Sequence, residues 1–127
     1  MFQSLDVLRT AQAMAVHAGR RHAVIAQNVA NADTPGYRAH DVMPFAETLA
    51  GAAGFAPRVT RPGHVRADGE AASTIRPRAE RHEDPNGNSV SLELEILRAV
   101  ESKRQHDRAL SIYGSALKIL RASIGRG

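Results

Sequence analysis

The side chains of this sequence best suited to acid–base or metal chemistry are its histidines: His17, His22, His40, His64, His82 and His106. A zinc site or a general base needs them in sets, with ligands four residues apart on one helix face or a carboxylate placed against the ring. No such set is present. The nearest cluster, His82-Glu83-Asp84, is a polar triplet just before Pro85 and reads as loop. The sequence contains no G-x-x-x-x-G-K-[ST], no G-x-G-x-x-G and no G-x-S-x-G. It contains no cysteine, so thiolate ligands, thiol nucleophiles and disulfides are excluded. The reading is a protein that is not an enzyme, with no catalytic, cofactor-binding or metal residues and no cofactor.

The most heavily specified stretch lies elsewhere, at NVANADTPGYRA, Asn28 to Ala39. Asn28 and Asn31 are three residues apart and share a helix face. Asparagine forms helix poorly and bonds readily to nearby backbone. Thr34 precedes a proline and is pushed toward extended geometry. Pro35-Gly36 fits a type II turn, in which glycine supplies the positive φ. Tyr37 then offers both a ring and a hydroxyl. An ordinary helix stop needs only Gly or Pro, whereas this one adds two amides and an aromatic.

The elements that position this stretch follow from the prolines. All six lie between Pro35 and Pro85. A proline inside a helix costs about 3 kcal/mol, so two helix-permitting ends flank a helix-hostile middle. Three segments are expected: an N-terminal coiled-coil helix over 1–34, the Thr-Pro-Gly-Tyr loop with an irregular central segment over 35–88, and a C-terminal coiled-coil helix over 89–127. In the first, Val7, Ala11, Met14, Ala18 and Ile25 fall on one helical face, which Arg21 interrupts. In the last, Leu92, Ile96, Ala99, Lys103, His106, Leu110, Tyr113, Leu117, Leu120 and Ile124 hold a 4,3 spacing, a coiled-coil period. Lys103 and His106 read as a polar break that sets register. Asn88 or Ser89 is the expected cap, and Gly125 the stop. Glu93 and Glu95 suit the positive end of the helix dipole.

A second apolar row, Ile112, Ala116 and Ile119, broadens the last helix beyond what one partner helix covers. The first helix is alanine-rich and has little bulk to offer it. Some of that surface is therefore expected to belong to neighbouring subunits. The middle has about eight large apolar residues over 38–88, too few to offset its ordering entropy. MPFAETLAGA is expected as a short helix, VTRPGHVRADG and EDPNGNS as turns or loops, and the rest as extended or disordered until bound. The fold class is thus all-α: two long terminal helices in a coiled-coil hairpin, joined by an extended, partly disordered Pro/Gly-rich segment.

Bulk properties narrow the function. At 127 residues the chain is one domain's worth. Its net charge of +4 divides into about +1 over 1–36, about 0 over 37–88 and about +3 over 89–127. Basic residues of the last helix alternate with Glu93, Glu95, Glu101 and Asp107, as on a solvated face rather than a nucleic-acid stripe. No run of 18 apolar residues exists. The N-terminus has no basic region followed by an apolar one, so an export route that reads no such signal is expected if the protein leaves the cytoplasm.

Asn28, Asn31, Thr34, Pro35, Gly36 and Tyr37 resemble the N-terminal signature of the flagellar axial proteins of rod, hook and hook-associated type. The position of these residues, some 30 from the start at the end of a first heptad helix, makes the match specific. The small size, NADTPGYRAHDV, the PNGNSVSLELE lead-in and a last helix running to the C-terminus are most similar to the proximal rod subunits. Gln27 departs from the paired asparagines many members carry. The resemblance covers 1–49 and 84–127. It implies a structural subunit of the periplasmic rod in the bacterial flagellar basal body, exported unfolded by the flagellar type III apparatus. It implies terminal helices paired in a coiled coil and a subunit-interface loop at Asn28, Asn31, Thr34, Pro35, Gly36 and Tyr37. The implied partners are further copies, other rod subunits of FlgC, FlgF and FlgG type, a FliE-type adaptor, the MS-ring and the export gate, with no nucleic acid and no direct membrane insertion. The rival readings are a FlgC-type rod subunit, a soluble coiled-coil adaptor or export chaperone, and a basic helical nucleic-acid binder.

Overall fold

The computed structural model describes residues 2–52, 75–79 and 83–125. Two long helices dominate it: α1 (Phe2–Ala30) and α3 (Leu92–Ile124). At about 1.5 Å per residue they run roughly 43 and 50 Å. Between them lie strand β1 (His40–Val42), the short helix α2 (Phe45–Ala52) and strand β2 (Ile75–Pro77). Among the described residues, no helix is long and apolar enough to cross a membrane.

The long helices pack antiparallel, because Asn28 meets Glu95 while Ser102 donates to the Ala18 carbonyl at 2.9 Å. The inward row of α1 is Ala11, Ala18 and Ile25, with Val24, His17 and Asn28 also buried. The inward row of α3 is Glu95, Ser102, Ala109 and Ala116, again at seven-residue spacing. Small side chains on both sides let the backbones approach closely. They also bury little: an alanine in place of a leucine gives up roughly 2 kcal/mol of apolar burial.

The inward edge of α3 therefore lies one residue before the row that the heptad pattern suggests. Of that row, Leu92, Ile96, Leu110 and Ile124 are exposed, Ile124 to 73%, and Ala99, His106, Tyr113, Leu117 and Leu120 are half-buried. Lys103 stays outside, paired with Asp107 at 2.7 Å. The physical reason is what stands opposite. Alanine-lined α1 accepts small residues at closest approach, and the bulky ones rotate outward. On α1, Ala11, Ala18 and Ile25 are buried, Met14 is half-buried, and Val7 is exposed. Glu95, read from sequence as part of a solvated face, has no exposed surface at all.

The helix ends differ from expectation too. Helix α1 stops at Ala30, and Asn31–Thr34 form turns in place of its last residues. Ser91 occupies the N-cap of α3 without a side-chain bond, because Asn88 and Ser89 are engaged elsewhere. Gly125 does end α3, donating to the Arg121 carbonyl at 2.8 Å.

Strands β1 and β2 pair antiparallel, His40 opposite Pro77 and Val42 opposite Ile75. A two-stranded ribbon tolerates proline because one side of each strand needs no donor. Helix α2 forms within MPFAETLAGA and is tied to α1 by His17, whose Nε2 donates to the Met43 carbonyl at 2.7 Å and whose ring meets Phe45. The expectation of extended or disordered chain between the expected helix and turns of 38–88 falls partly outside the described residues, as do VTRPGHVRADG, His64 and His82. Within them the chain forms β1, α2, β2 and the turn that leads into α3.

Candidate functional site: a polar clasp at one end of the helix pair

Where α1 ends and α3 begins, two turns interlock. The first is Thr34-Pro35-Gly36-Tyr37. Tyr37 donates its backbone N–H to the Thr34 carbonyl at 3.2 Å, and Gly36 sits at φ 72°, as a type II turn requires. The second is Asp84-Pro85-Asn86-Gly87-Asn88. Gly87 donates to the Asp84 carbonyl at 2.8 Å and Asp84 to the Asn88 carbonyl at 2.9 Å, with Gly87 at φ 78°. This is a three-residue hairpin loop, closed by a left-handed glycine. The turns touch through their glycines: Gly36 N–H donates to the Asn86 carbonyl at 3.0 Å, and the space beside the Gly87 Cα opens onto the Gly36 backbone.

Asn88 joins the turns to the helix. A helix C-terminus leaves carbonyls without intrahelical donors. The buried Asn88 amide gives its two hydrogens to three carbonyls of the turns that follow α1, Asn31 at 3.0 Å and Ala32 and Thr34 at 2.8 Å. Its oxygen takes the Val90 N–H at 2.7 Å. Next to it, Ser89 donates its N–H to the Tyr37 carbonyl and accepts the Ala39 N–H on its hydroxyl.

Asn28 holds the centre and is 0% exposed. Its amide nitrogen donates to the His40 carbonyl at 2.8 Å and to Glu95 Oε2 at 3.1 Å. Its oxygen accepts the His40 N–H at 3.0 Å and the Tyr37 hydroxyl at 3.3 Å. Two donors and two acceptors are thus all used, the full capacity of an amide. Only Asn or Gln has that inventory, and Asn has the reach of a side chain lying against a strand.

Glu95 carries the charge. Its carboxylate is bonded by Asn28, by Arg98 at 2.8 Å one turn along α3, and by Arg78 from just beyond β2. Arg78 also approaches Asp41 at 3.8 Å, and Asp41 pairs with Arg21 of α1 at 3.3 Å. A buried carboxylate is tolerated only when paired and hydrogen-bonded in this way. Burial, and behind it the Glu95 charge, holds the Tyr37 hydroxyl above its ordinary value of 10.0.

The residues singled out by the sequence part company here. Asn28 and Tyr37 face inward, toward partners in their own chain. Asn31 folds back, donating to the Gln27 carbonyl at 2.8 Å and accepting from Thr34. Thr34, Pro35 and Gly36 stand exposed on the outer side of the turn. Asn88, Ser89, Arg78 and Glu95 were not read from sequence as parts of this site. The seven-residue row of small and polar residues, Glu95, Ser102, Ala109 and Ala116, was the signal that could have placed Glu95 inside.

The chemistry available is that of a joint. No group of three or more potential metal ligands exists among the described residues. A cleft of about 320 Å³ beside α2 is lined by Met14, His17, Phe45 and Arg108, but its histidine is already committed to a backbone carbonyl.

Residues 8–38, which run along α1 and end just past the Tyr37 turn, match the family described as flagella basal body rod protein. Nearly the whole chain is similar to the flagellar basal body rod protein FlgB of Agrobacterium fabrum. The two are 30% identical over 136 aligned positions, covering 98% of this chain and 96% of that one. The chain belongs to the flagellar basal body rod proteins, of FlgB type, and is a structural subunit of the rod in the basal body of the flagellum.

Proposed function

We propose that both ends of the chain act as one assembly unit, in which the clasp fixes the subunit's own shape and the outward face of α3 joins it to neighbours. The observation that carries this reading is the inversion of α3. Ile96, Leu97, Val100, Leu110, Ile112 and Ile119 are exposed while alanine and serine line the inside. Exposed apolar residues between the charged ones of a helix are surface that a partner can cover. The neighbours are further copies and rod subunits of FlgC, FlgF and FlgG type, with a FliE-type adaptor, the MS-ring and the export gate at the base. Thr34, Pro35 and Gly36 supply the part of the interface loop that reaches those neighbours. The subunit works as a mechanical part, with no catalytic step. A thin, alanine-lined seam suits a chain that passes the type III apparatus unfolded.

Sedimentation with far-UV circular dichroism over a concentration series tests this. Association accompanied by a gain of helix supports it. A compact, fully helical species whose size and spectrum do not change with concentration contradicts it.

A further inference from the structure

The helix pair has a register problem. Its two inward rows, Ala11, Ala18 and Ile25 against Glu95, Ser102, Ala109 and Ala116, repeat every seven residues and are mostly small. Sliding α3 by one heptad sets small residues against small residues again, so sterics do not forbid it. Nor does the Ser102 bond to the Ala18 carbonyl, because every turn of α1 offers a similar carbonyl. Arg98 travels with Glu95 on the same helix and is satisfied in any register.

Two features distinguish the registers: the clasp, where Asn88 and Ser89 bond the turn after α1 just before α3 begins, and a cluster on the seam itself. Asn28 is fixed to α1 and to β1 through both backbone groups of His40. Arg78 is fixed to β1 by its N–H on the Ala39 carbonyl at 2.8 Å, next to the β1–β2 ladder. Both therefore ride with α1 and point at a single place on α3, the Glu95 carboxylate. In a shifted register that carboxylate would either be buried against α1 or pass beyond its last residue, in both cases without Asn28 or Arg78.

We propose that Asn28, Glu95 and Arg78 form a register latch. Together with the clasp it holds one axial alignment of α1 and α3, and it makes that alignment conditional on the β1–β2 ribbon being docked. The chain's central segment is thereby read out at the helix seam, so a subunit whose ribbon is undocked does not present a correctly aligned helix pair to its neighbours. A buried polar group that sets register at some cost in stability is a known use of such residues in coiled coils.

The chain has no cysteine, so engineered thiols report cleanly. Ala11 and Ala109 lie one heptad further along from Ala18 and Ser102, and they face each other in the native register. An Ala11→Cys, Ala109→Cys chain reports that register. An Ala18→Cys, Ala109→Cys chain reports the alignment shifted by seven residues. Each pair is oxidised with glutathione in the full-length protein carrying Asn88→Ala, which loosens the clasp, with and without Arg78→Met plus Glu95→Gln. The double substitution removes both charges of the Arg78–Glu95 pair, and Asp41 keeps Arg21. The expected result without it is the 11–109 crosslink alone. The expected result with it is both crosslinks, the 18–109 product rising at least tenfold. An unchanged 11–109 product without the shifted one, or loss of both, would overturn the latch. Either would mean that the cluster governs stability or closure, not alignment.

Discussion

The two ends of the helix pair are built on opposite principles. At the clasp, Asn28, Asn88 and Glu95 are buried, polar and bonded within the chain. At the far end, Leu5, Val7, Ile112, Ile119 and Ile124 are apolar and exposed. The clasp hides what water would satisfy, and the shaft exposes what water disfavours. The difference separates two tasks. A polar network is directional and fixes geometry within one subunit. An apolar face is non-directional and gains free energy only when something covers it. A rod subunit needs a defined corner and an adhesive shaft, and the two lie on different faces of α3, since Leu92, Ile96 and Leu97 are exposed beside the buried Glu95.

The strongest way to break this contrast is Asn28→Asp. The change is nearly isosteric, but it removes two donors and sets a second carboxylate beside Glu95. Breaking a buried charge network costs about 3–5 kcal/mol, and the loss is read as a lowered urea midpoint. Asn88→Ala comes next. It takes the Asn88 bonds from the Ala32 carbonyl, the Val90 N–H and the Asn31 and Thr34 carbonyls, the last two keeping a backbone donor, a loss of about 2–3 kcal/mol by the same measurement. Gly36→Val places a β-branched residue at φ 72°, which costs about 1–2 kcal/mol from backbone strain alone, since nothing crowds the position. It redirects the exposed turn and should abolish motility in a complemented strain. On the shaft, Ile112→Ser with Ile119→Ser should move the stability of the dilute subunit by under about 0.5 kcal/mol while abolishing its association.

The smallest effect is one of pH. The Tyr37 hydroxyl has its folded value above the unfolded 10.0, so the neutral form is the one the clasp favours. Its contribution is complete below about pH 10 and is lost as the pH rises through the folded value. Tyr37→Phe should remove this alkaline slope from the stability profile.

Much of this architecture was visible in the sequence, for identifiable reasons. Proline placement divided the chain because proline is incompatible with helix interiors whatever packs around it. Pro35-Gly36 announced its turn because only glycine takes the required φ without strain. The orientation of α3 was hidden because a heptad pattern reports where bulk is, while the seam chose the absence of bulk. Whether large or small residues face inward depends on the partner helix, and pattern alone does not carry that. Glu95 was misread for a related reason: a glutamate among lysines and arginines looks solvated until a cation arrives from another element. Arg78 lies 17 residues away in sequence and reaches Glu95 only through the β1–β2 ribbon. Asn88 was expected as a helix cap. Its amide reaches a different helix end, more than 50 residues back.

Amide hydrogen exchange on the dilute subunit tests the central contrast most directly. A self-complete clasp predicts slow exchange at Gly36, Ala39, His40, Ser89 and Val90, whose N–H groups all find acceptors there. It predicts fast exchange over 112–124 of α3, where the helix waits for neighbours, and slowing there once subunits associate. Equal protection along the whole of α3 in the dilute subunit would contradict it, because the shaft would then be finished without partners.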